Sequence, residues 1–319
     1  MEIDVKKITN VIEKSSNVII TAHKNLDLDA LGSMLAMYYI STSLNKKTFI
    51  LLDDEKFEFG VNRALEKVSD LNITIDKSKK ILKTTDDNTL LIILDVNKDY
   101  LLQNNEILNK IKKVIIIDHH IKGNTSIKNY LYEYINTEES STCEIILDII
   151  NKLNVYIPSY IATVMLAGIA IDTNNFYLKT TINTYEALAK LKTFNADSSE
   201  LQYLLKQDFS KYKEIQKIVI NTKFYNDIGI SFGRKIYDKE DIAKSADSIL
   251  LFQGVEASFV IGRVSKDEIG ISARSLGNLD VQKVMVELGG GGHKTDAATQ
   301  IKSSNIKEVY NKLLEILKI

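Results

Sequence analysis

Short apolar runs bounded by polar residues recur through the first half of the chain: Asn17–Ala22, Thr48–Leu52, Thr89–Leu94 and Lys113–Ile117. Runs of this length, rich in Ile, Val and Leu, predict strands buried on both faces. Between them, Ala30–Tyr39 and Phe59–Val68 space their apolar residues as helices do. The alternation predicts a parallel sheet with helices on both faces. Helical patterns dominate from Ser140 to about Thr222. Within them, Tyr160–Ile171 is too short to cross a bilayer and reads as a buried core helix. Strand signals return at Ile228–Ile236, Ala257–Val264 and Glu268–Ala273, and Ile306–Leu317 is again helical. The expected fold class is α/β. A parallel-sheet domain spans 1–197, a polar helical linker 198–225, and a smaller α+β domain 226–319.

Composition narrows the function classes. The apolar fraction is 45% and the charged fraction 26%, as in ordinary globular proteins and unlike disordered ones. Lys+Arg is 41 and Asp+Glu 42, a net charge of −1. Such a chain is not built to coat long nucleic acid through charge, so a nucleotide ligand would be short and held locally. The single cysteine, Cys143, excludes an intrachain disulfide and fits a reducing, cytoplasmic compartment. It falls in a helical stretch and reads as a packing residue. The opening MEIDVKKITN is charged and helical rather than a signal peptide, and no membrane association is expected.

The chemistry gathers where strands end. The first run leads into His23, Asp27 and Asp29; the third into Asp95; the fourth into Asp118-His119-His120. Open parallel sheets bind ligands outside the carboxyl ends of their strands, so these segments share one rim. A further acid, Asp172, ends the apolar run AGIAID and needs a partner, for which a metal would serve. Three of the four histidines lie at strand ends, and the fourth, His293, follows four glycines. Several carboxylates with two imidazoles suit a borderline-hard divalent ion such as Mn²⁺. Two ions about 3.5–4 Å apart would share a bridging carboxylate and lower the pKa of a bridging water. Without metal, the carboxylates would repel one another. Taken singly, each residue has a plainer reading. Asp27 or Asp29 could cap a helix, Asp95 could be a loop acid, and the histidine pair could be a turn.

A second constellation is Leu288-Gly289-Gly290-Gly291-Gly292-His293. Consecutive glycines let backbone N–H groups converge on an anion, although glycine runs also serve as flexible turns. Of only four arginines against 37 lysines, Arg263 and Arg274 precede this run, with Ser272 beside Arg274. A guanidinium matches a phosphate oxygen pair; a surface ion pair is the alternative.

These residues carry a resemblance. Asp118-His119-His120 resembles the signature of the DHH phosphoesterase superfamily, and HKNLDLDA from His23 its first motif. Asp95 and Asp172 resemble its second and fourth motifs, and GGGGH the glycine-rich motif of the DHH-associated domain. The segments ESSTCEIILDII, LAGIAIDTNNF, GVEASFVIGR and ISARSLGNLDVQKVMVELGGGGHKTDAATQ are similar to the catalytic portion of GdpP-type cyclic-di-AMP phosphodiesterases. The resemblance covers almost the whole chain. It implies two Mn²⁺ per chain, one on His23, Asp27 and Asp95, the other on Asp29, Asp95, His119 and Asp172, with Asp95 bridging. It also implies that His120 orients substrate phosphate and that Asp118 fixes a histidine ring. Ser272, Arg274, Gly289, Gly290, Gly291, Gly292 and His293 would bind nucleotide from the second domain, in a cleft that closes between the domains, and the chain would be a homodimer.

Two departures stand out. Leu26 and Leu28 replace the proline and the glycine or methionine of many relatives, without touching a ligand. The membrane-spanning, PAS and cyclase-like regions of full-length GdpP-type proteins are missing from this sequence, so either a stand-alone soluble relative or a catalytic fragment of a longer protein is expected. Hydrolysis of cyclic di-AMP to pApA, with onward cleavage to AMP left open, is the leading expectation. Hydrolysis of short linear nucleotides (pApA, nano-RNA or 3′-phosphoadenosine 5′-phosphate) is the alternative. A manganese pyrophosphatase should lack GGGGH, a long-strand exonuclease should be more basic, and a non-catalytic sensor could have lost its metal ligands.

Overall fold

The computed structural model describes residues 2–123, 125–303 and 305–319. The chain divides into two compact units, Met1–Lys206 and Gln207–Ile319.

In the first unit the elements run α1 (Val5–Lys14), β1 (Asn17–Thr21), α2 (Leu28–Ser43), β2 (Lys47–Leu51), α3 (Phe59–Val68), β3 (Ile75–Asp76), α4 (Ser78–Ile81), β4 (Leu90–Leu94), α5 (Ile107–Lys110), β5 (Lys113–Asp118), β6 (Tyr132–Ile135), α6 (Thr142–Leu153), α7 (Ser159–Asp172), α8 (Ile182–Thr193) and α9 (Ser198–Leu204). The sheet order is β3-β2-β1-β4-β5-β6, with every pairing parallel. Helices cover both faces, as the alternation predicts. Successive strand residues point to opposite faces. Val18, Ile20, Ile92 and Ile117 thus join a core with α2, α6 and α7. Ile19, Leu91, Ile93 and Ile116 join another with Ile81 of α4 and Ile107 of α5. The edge strands β3 and β6 escape the sequence reading. The first has two residues, and the second, Tyr-Glu-Tyr-Ile, alternates instead of forming an apolar run.

The order reverses between β1 and β4: the chain first moves outward through β2 and β3, then returns. Such a switch point leaves a crevice at the carboxyl ends of the strands. Helix α7 is apolar all round, as a helix buried on every side must be. It lies so close to α2 that a side chain on Gly168 would stand 2.6 Å from Cα of Asp29. That close approach sets Asp172, at the end of α7, beside the crevice.

The second unit comprises α10 (Phe209–Ile220), β7 (Lys223–Tyr225), β8 (Ile228–Ile236), α11 (Lys239–Leu250), β9 (Ala257–Arg263), β10 (Glu268–Ser275), α12 (Val281–Glu287), β11 (Gly291–Gly292), β12 (Asp296–Lys302) and α13 (Ile306–Leu317). Its sheet, β11-β12-β10-β9-β8-β7, is antiparallel except for the β8–β9 pair. α12 and α13 pack on one face, α10 and α11 on the other. The helical stretch expected as a linker is divided between the two cores. Leu204 of α9 is buried in the first, while Ile215, Ile218 and Val219 of α10 pack on Ile242, Ala246 and Ile249 of α11. Among the described residues, no helix is long and apolar enough to cross a membrane.

Candidate active site

Each strand bordering the switch point ends in a candidate ligand. After β1, His23 holds its ring by a contact of 2.6 Å between Nδ1 and the carbonyl oxygen of Lys24. A carbonyl only accepts, so Nδ1 carries the proton and Nε2 of the neutral ring offers a lone pair. That nitrogen lies 3.2 Å from Asp95 Oδ2 and 3.6 Å from Asp27 Oδ2. Asp27 caps α2, its Oδ1 accepting from the Ala30 N–H at 2.9 Å, which leaves Oδ2 for the site. The capping reading and the ligand reading of Asp27 therefore coexist, one per oxygen.

Asp29, in the first turn of α2, is fully buried and caps a different helix. Its two oxygens accept from the backbone N–H groups of Thr142 and Cys143, both at 2.8 Å, in the first turn of α6. The positive end of the α6 dipole thus faces the carboxylate cluster. Asp95 follows β4 in a left-handed conformation, φ +59°, rare for a residue with a side chain. Its Oδ1 accepts from Thr142 Oγ1 at 2.9 Å and lies 3.3 Å from His119 Nε2, while Oδ2 faces His23. One carboxylate therefore reaches toward two imidazoles. Asp172 Oδ2 stands 3.2 Å from His119 Nε2 on the other side.

Ligand atoms of His23, Asp27 and Asp95 lie within 4.8 Å of one another, as do those of Asp29, His119 and Asp172, and those of Asp95, His119 and His120. His119 Nε2 is shut off from solvent and has no hydrogen-bond partner, although two carboxylates flank it. A buried, unpartnered nitrogen flanked by two acids fits a divalent cation. The donors are all nitrogen and oxygen, with Cys143 Sγ turned to the backbone oxygen of Asp29, which suits an ion of manganese type.

Without metal, protons and imidazoles carry the charge balance. Burial raises Asp29 well above the usual carboxylate range, and the charges of Asp95 and Asp172 raise it further. Burial likewise pushes Asp172 up to about 6, against the pull of His119. For Asp95, burial works upward but His119 and His23 outweigh it, and its carboxyl is held below the usual range. Burial opposes charge on His23 and His119 too, yet their carboxylate neighbours win and both are raised well above the ordinary imidazole value.

His120 packs edge-on against the His119 ring, with centroids 4.3 Å apart, but is held by different partners. Its Nδ1 donates to Asp118 Oδ1 at 2.8 Å, and its backbone N–H reaches the same oxygen at 3.1 Å. Asp118 is completely buried, and its Oδ2 accepts from Asn97 Nδ2 at 2.6 Å. The same Nδ2 donates to the carbonyl of His120 at 3.1 Å, and Asn97 Oδ1 accepts from Ser126 Oγ at 2.7 Å. The ring is clamped while its side chain stays 55% exposed, so Nε2 is presented outward. Sequence reasoning missed Asn97 and Thr142. The signals were an amide two residues beyond Asp95 and a hydroxyl at the start of α6.

In the second unit the glycine run is not an open loop. Gly289, at φ +81°, ends α12, and the N–H groups of Gly289, Gly290 and His293 go to the carbonyls of Val286, Met285 and Asp296. Gly291 and Gly292 pair with Ala298 and Ala297 of β12. The expected convergence of free amides on an anion is corrected: several of those donors are already used. What the glycines supply is proximity. A side chain on Gly290 would meet the Ala298 carbonyl at 2.3 Å, whereas one on Gly291 would meet nothing within 4 Å. Gly291 thus has open space beside its backbone, next to the exposed His293. Arg274 pairs with Asp247 (Nε to Oδ1, 2.6 Å) and Asp296 (Nη1 to Oδ1, 2.8 Å) and donates to Ser272 Oγ at 3.1 Å. The ion-pair alternative describes this guanidinium as it stands. Arg263, on β9, donates to the Lys266 carbonyl at 3.4 Å.

Known proteins resemble this chain in sequence and fold. The sequence matches the DHH family, N-terminal domain, over residues 17–169 and the DHHA1 domain over residues 221–319. This chain belongs to the DHH family. It is 34% identical to the cyclic-di-AMP phosphodiesterase GdpP of Bacillus subtilis, covering 95% of this chain and 48% of that protein. It is 26% identical to the bifunctional oligoribonuclease and PAP phosphatase NrnA of Thermus thermophilus, covering 94% of this chain and 89% of that one. The crystal structure of an exopolyphosphatase-related protein from Bacteroides fragilis has the same fold, with a TM-score of 0.79 at 19% identity over 98% of this chain and 96% of that chain. The DHH chain spans about half the length of GdpP.

Proposed function

We propose that this DHH protein is a manganese-dependent phosphodiesterase that hydrolyses cyclic di-AMP to pApA. The observation that carries the reading is the Asp95 carboxylate, whose two oxygens face His23 and His119 and join two donor sets. His23, Asp27 and Asp95 would hold one Mn²⁺; Asp29, Asp95, His119 and Asp172 the other. When bound, such a pair supplies a hydroxide at neutral pH and stabilises charge on the phosphoryl oxygens.

The chain's own residues do the rest. Thr142 and the α6 amides hold Asp95 and Asp29 in place before metal arrives. Asp118 and Asn97 fix the ring of His120, whose Nε2 donates to a phosphate oxygen and orients it. His293 and the bare backbone at Gly291 meet the nucleotide, with Gly289, Gly290 and Gly292 setting that backbone's path. Arg274, tied to Asp247 and Asp296, orients Ser272 toward the ligand. Support for the cyclic substrate comes from the identity with GdpP. A homodimer and a cytoplasmic setting complete the proposal on the family resemblance.

The length match with NrnA favours a second reading, short linear nucleotides as substrates. Purified protein incubated with Mn²⁺ and cyclic di-AMP, pApA or 3′-phosphoadenosine 5′-phosphate, with products resolved by chromatography, separates the two. Conversion of cyclic di-AMP to pApA is expected. Intact cyclic di-AMP beside vanishing pApA would establish the second reading instead.

A further inference from the structure

A cavity of about 320 Å³ opens in the first unit, lined from α6, α8, the end of β6 and residues 2–3. Its wall holds the carboxylates of Glu2, Glu139, Glu144, Asp148 and Glu186 and the amides of Asn136, Asn151 and Asn183, with no lysine, arginine or histidine. Lys152 pairs with Glu2 and Asp148, at 2.8 and 3.0 Å. Among the described residues, no lysine, arginine or histidine lining this cavity neutralises Glu139 or Glu144.

Glu144 is only 5% exposed. Its Oε2 accepts from the Ser140 N–H at 2.8 Å, but its Oε1 is sealed from solvent with no donor in reach. The Glu139 carboxylate beside it accepts weakly from the amides of Asn136 and Asn183, at 3.3 and 3.2 Å. Burial, then the Glu144 carboxylate, pushes Glu139 up to about 7. Glu139 and Glu144 are neighbouring acids and one buried oxygen of Glu144 has no partner, so the pair requires a positive charge, either a proton or a cation.

We propose that this cavity is a cation site, in which Glu139 and Glu144 hold a hydrated hard divalent ion of the Mg²⁺ class. The donors are all oxygen, as such ions demand, and the space admits the water that Mg²⁺ keeps. Only these two carboxylates bind directly. The described residues hold no three-acid chelate here, and Mg²⁺ sites commonly use one or two carboxylates plus water. Binding exchanges one proton for the ion: the Glu139 carboxyl releases H⁺, and both carboxylates then face the metal. The ion would brace the walls of the active-site rim. The Asn136 N–H bonds the Asp118 carbonyl at 3.0 Å, and Glu144 lies two residues beyond Thr142. This site is independent of the catalytic reading.

The test uses crystals of the full chain soaked in Mn²⁺ as a probe, read by anomalous scattering. A peak between Glu139 and Glu144, separate from any peak at His23 or His119, is expected. In solution, equilibrium dialysis should show Glu144→Gln binding one divalent ion per chain fewer than wild type. Density at the catalytic residues without a peak at Glu144, or an undiminished ion count in the variant, would overturn the proposal and leave the pair as a shared proton.

Discussion

Thr142 Oγ1 donates a hydrogen bond to Asp95 Oδ1 at 2.9 Å, from a side chain with no solvent exposure. The backbone N–H of the same residue holds Asp29. Thr142 thus fixes one carboxylate of each donor set from the first turn of α6. Loss of partners that orient ligands commonly costs roughly 10–100-fold in metal affinity or activity. Thr142→Val should therefore weaken Mn²⁺ binding by about 10-fold or more, and Thr142→Ser should restore it. Isothermal titration with Mn²⁺ checks this without reference to turnover.

Asn97 performs the parallel task for His120 through Asp118. Asn97→Ala should lower kcat by about 10-fold or more, as removal of an orienting partner does, while Mn²⁺ content stays near wild type. Steady-state kinetics beside metal analysis separates this from a general loss of structure. Equal losses of metal and turnover would assign Asn97 to the scaffold.

Two adjacent glycines should respond in opposite ways. Gly290→Ala places a methyl group 2.3 Å from the Ala298 carbonyl and should cost about 1–3 kcal/mol of stability, the usual range for overpacking. Gly291→Ala meets open space and should leave stability near wild type while raising KM for the nucleotide. Urea denaturation and substrate titration read the two effects.

The raised Glu139 carboxyl has a stability consequence in metal-free protein. Its folded pKa of about 7 exceeds the ordinary glutamate value of 4.5, so the native state binds the extra proton between those values. The contribution of Glu139 to stability then falls as pH rises from about 4.5 to about 7, and this contribution is constant above. Glu139→Gln removes that fall, because an amide carries no proton to lose and can donate to Glu144. The difference between wild-type and variant melting temperatures across this window should change steadily with pH. A constant difference would show that Glu139 titrates like an exposed acid.

Much of this is legible in the sequence. The strands of the first sheet announce themselves because burial on both faces demands unbroken apolar runs, and β1, β4 and β5 end in His23, Asp95 and Asp118-His119-His120. β6 and β12 were not legible: each mixes polar and apolar positions, since one face or edge is less buried. The grip of α6 on Asp29 was equally hidden, since it joins residues 113 positions apart through backbone groups that every sequence possesses. The glycine run misled in its mechanism. Identical residues serve for free amides and for close strand packing, and only the neighbouring β12 decides between them.

The central claim is that a single carboxylate, Asp95, joins two cation sites. Calorimetric titration of metal-free wild type and Asp95→Ala with Mn²⁺, over the sites that His23 and His119 complete, measures it directly. The account predicts two ions at those sites in wild type, a collapse of both affinities in the variant, and loss of phosphodiester hydrolysis with them. An Asp95→Ala protein that binds both ions as wild type does and keeps its turnover would contradict it.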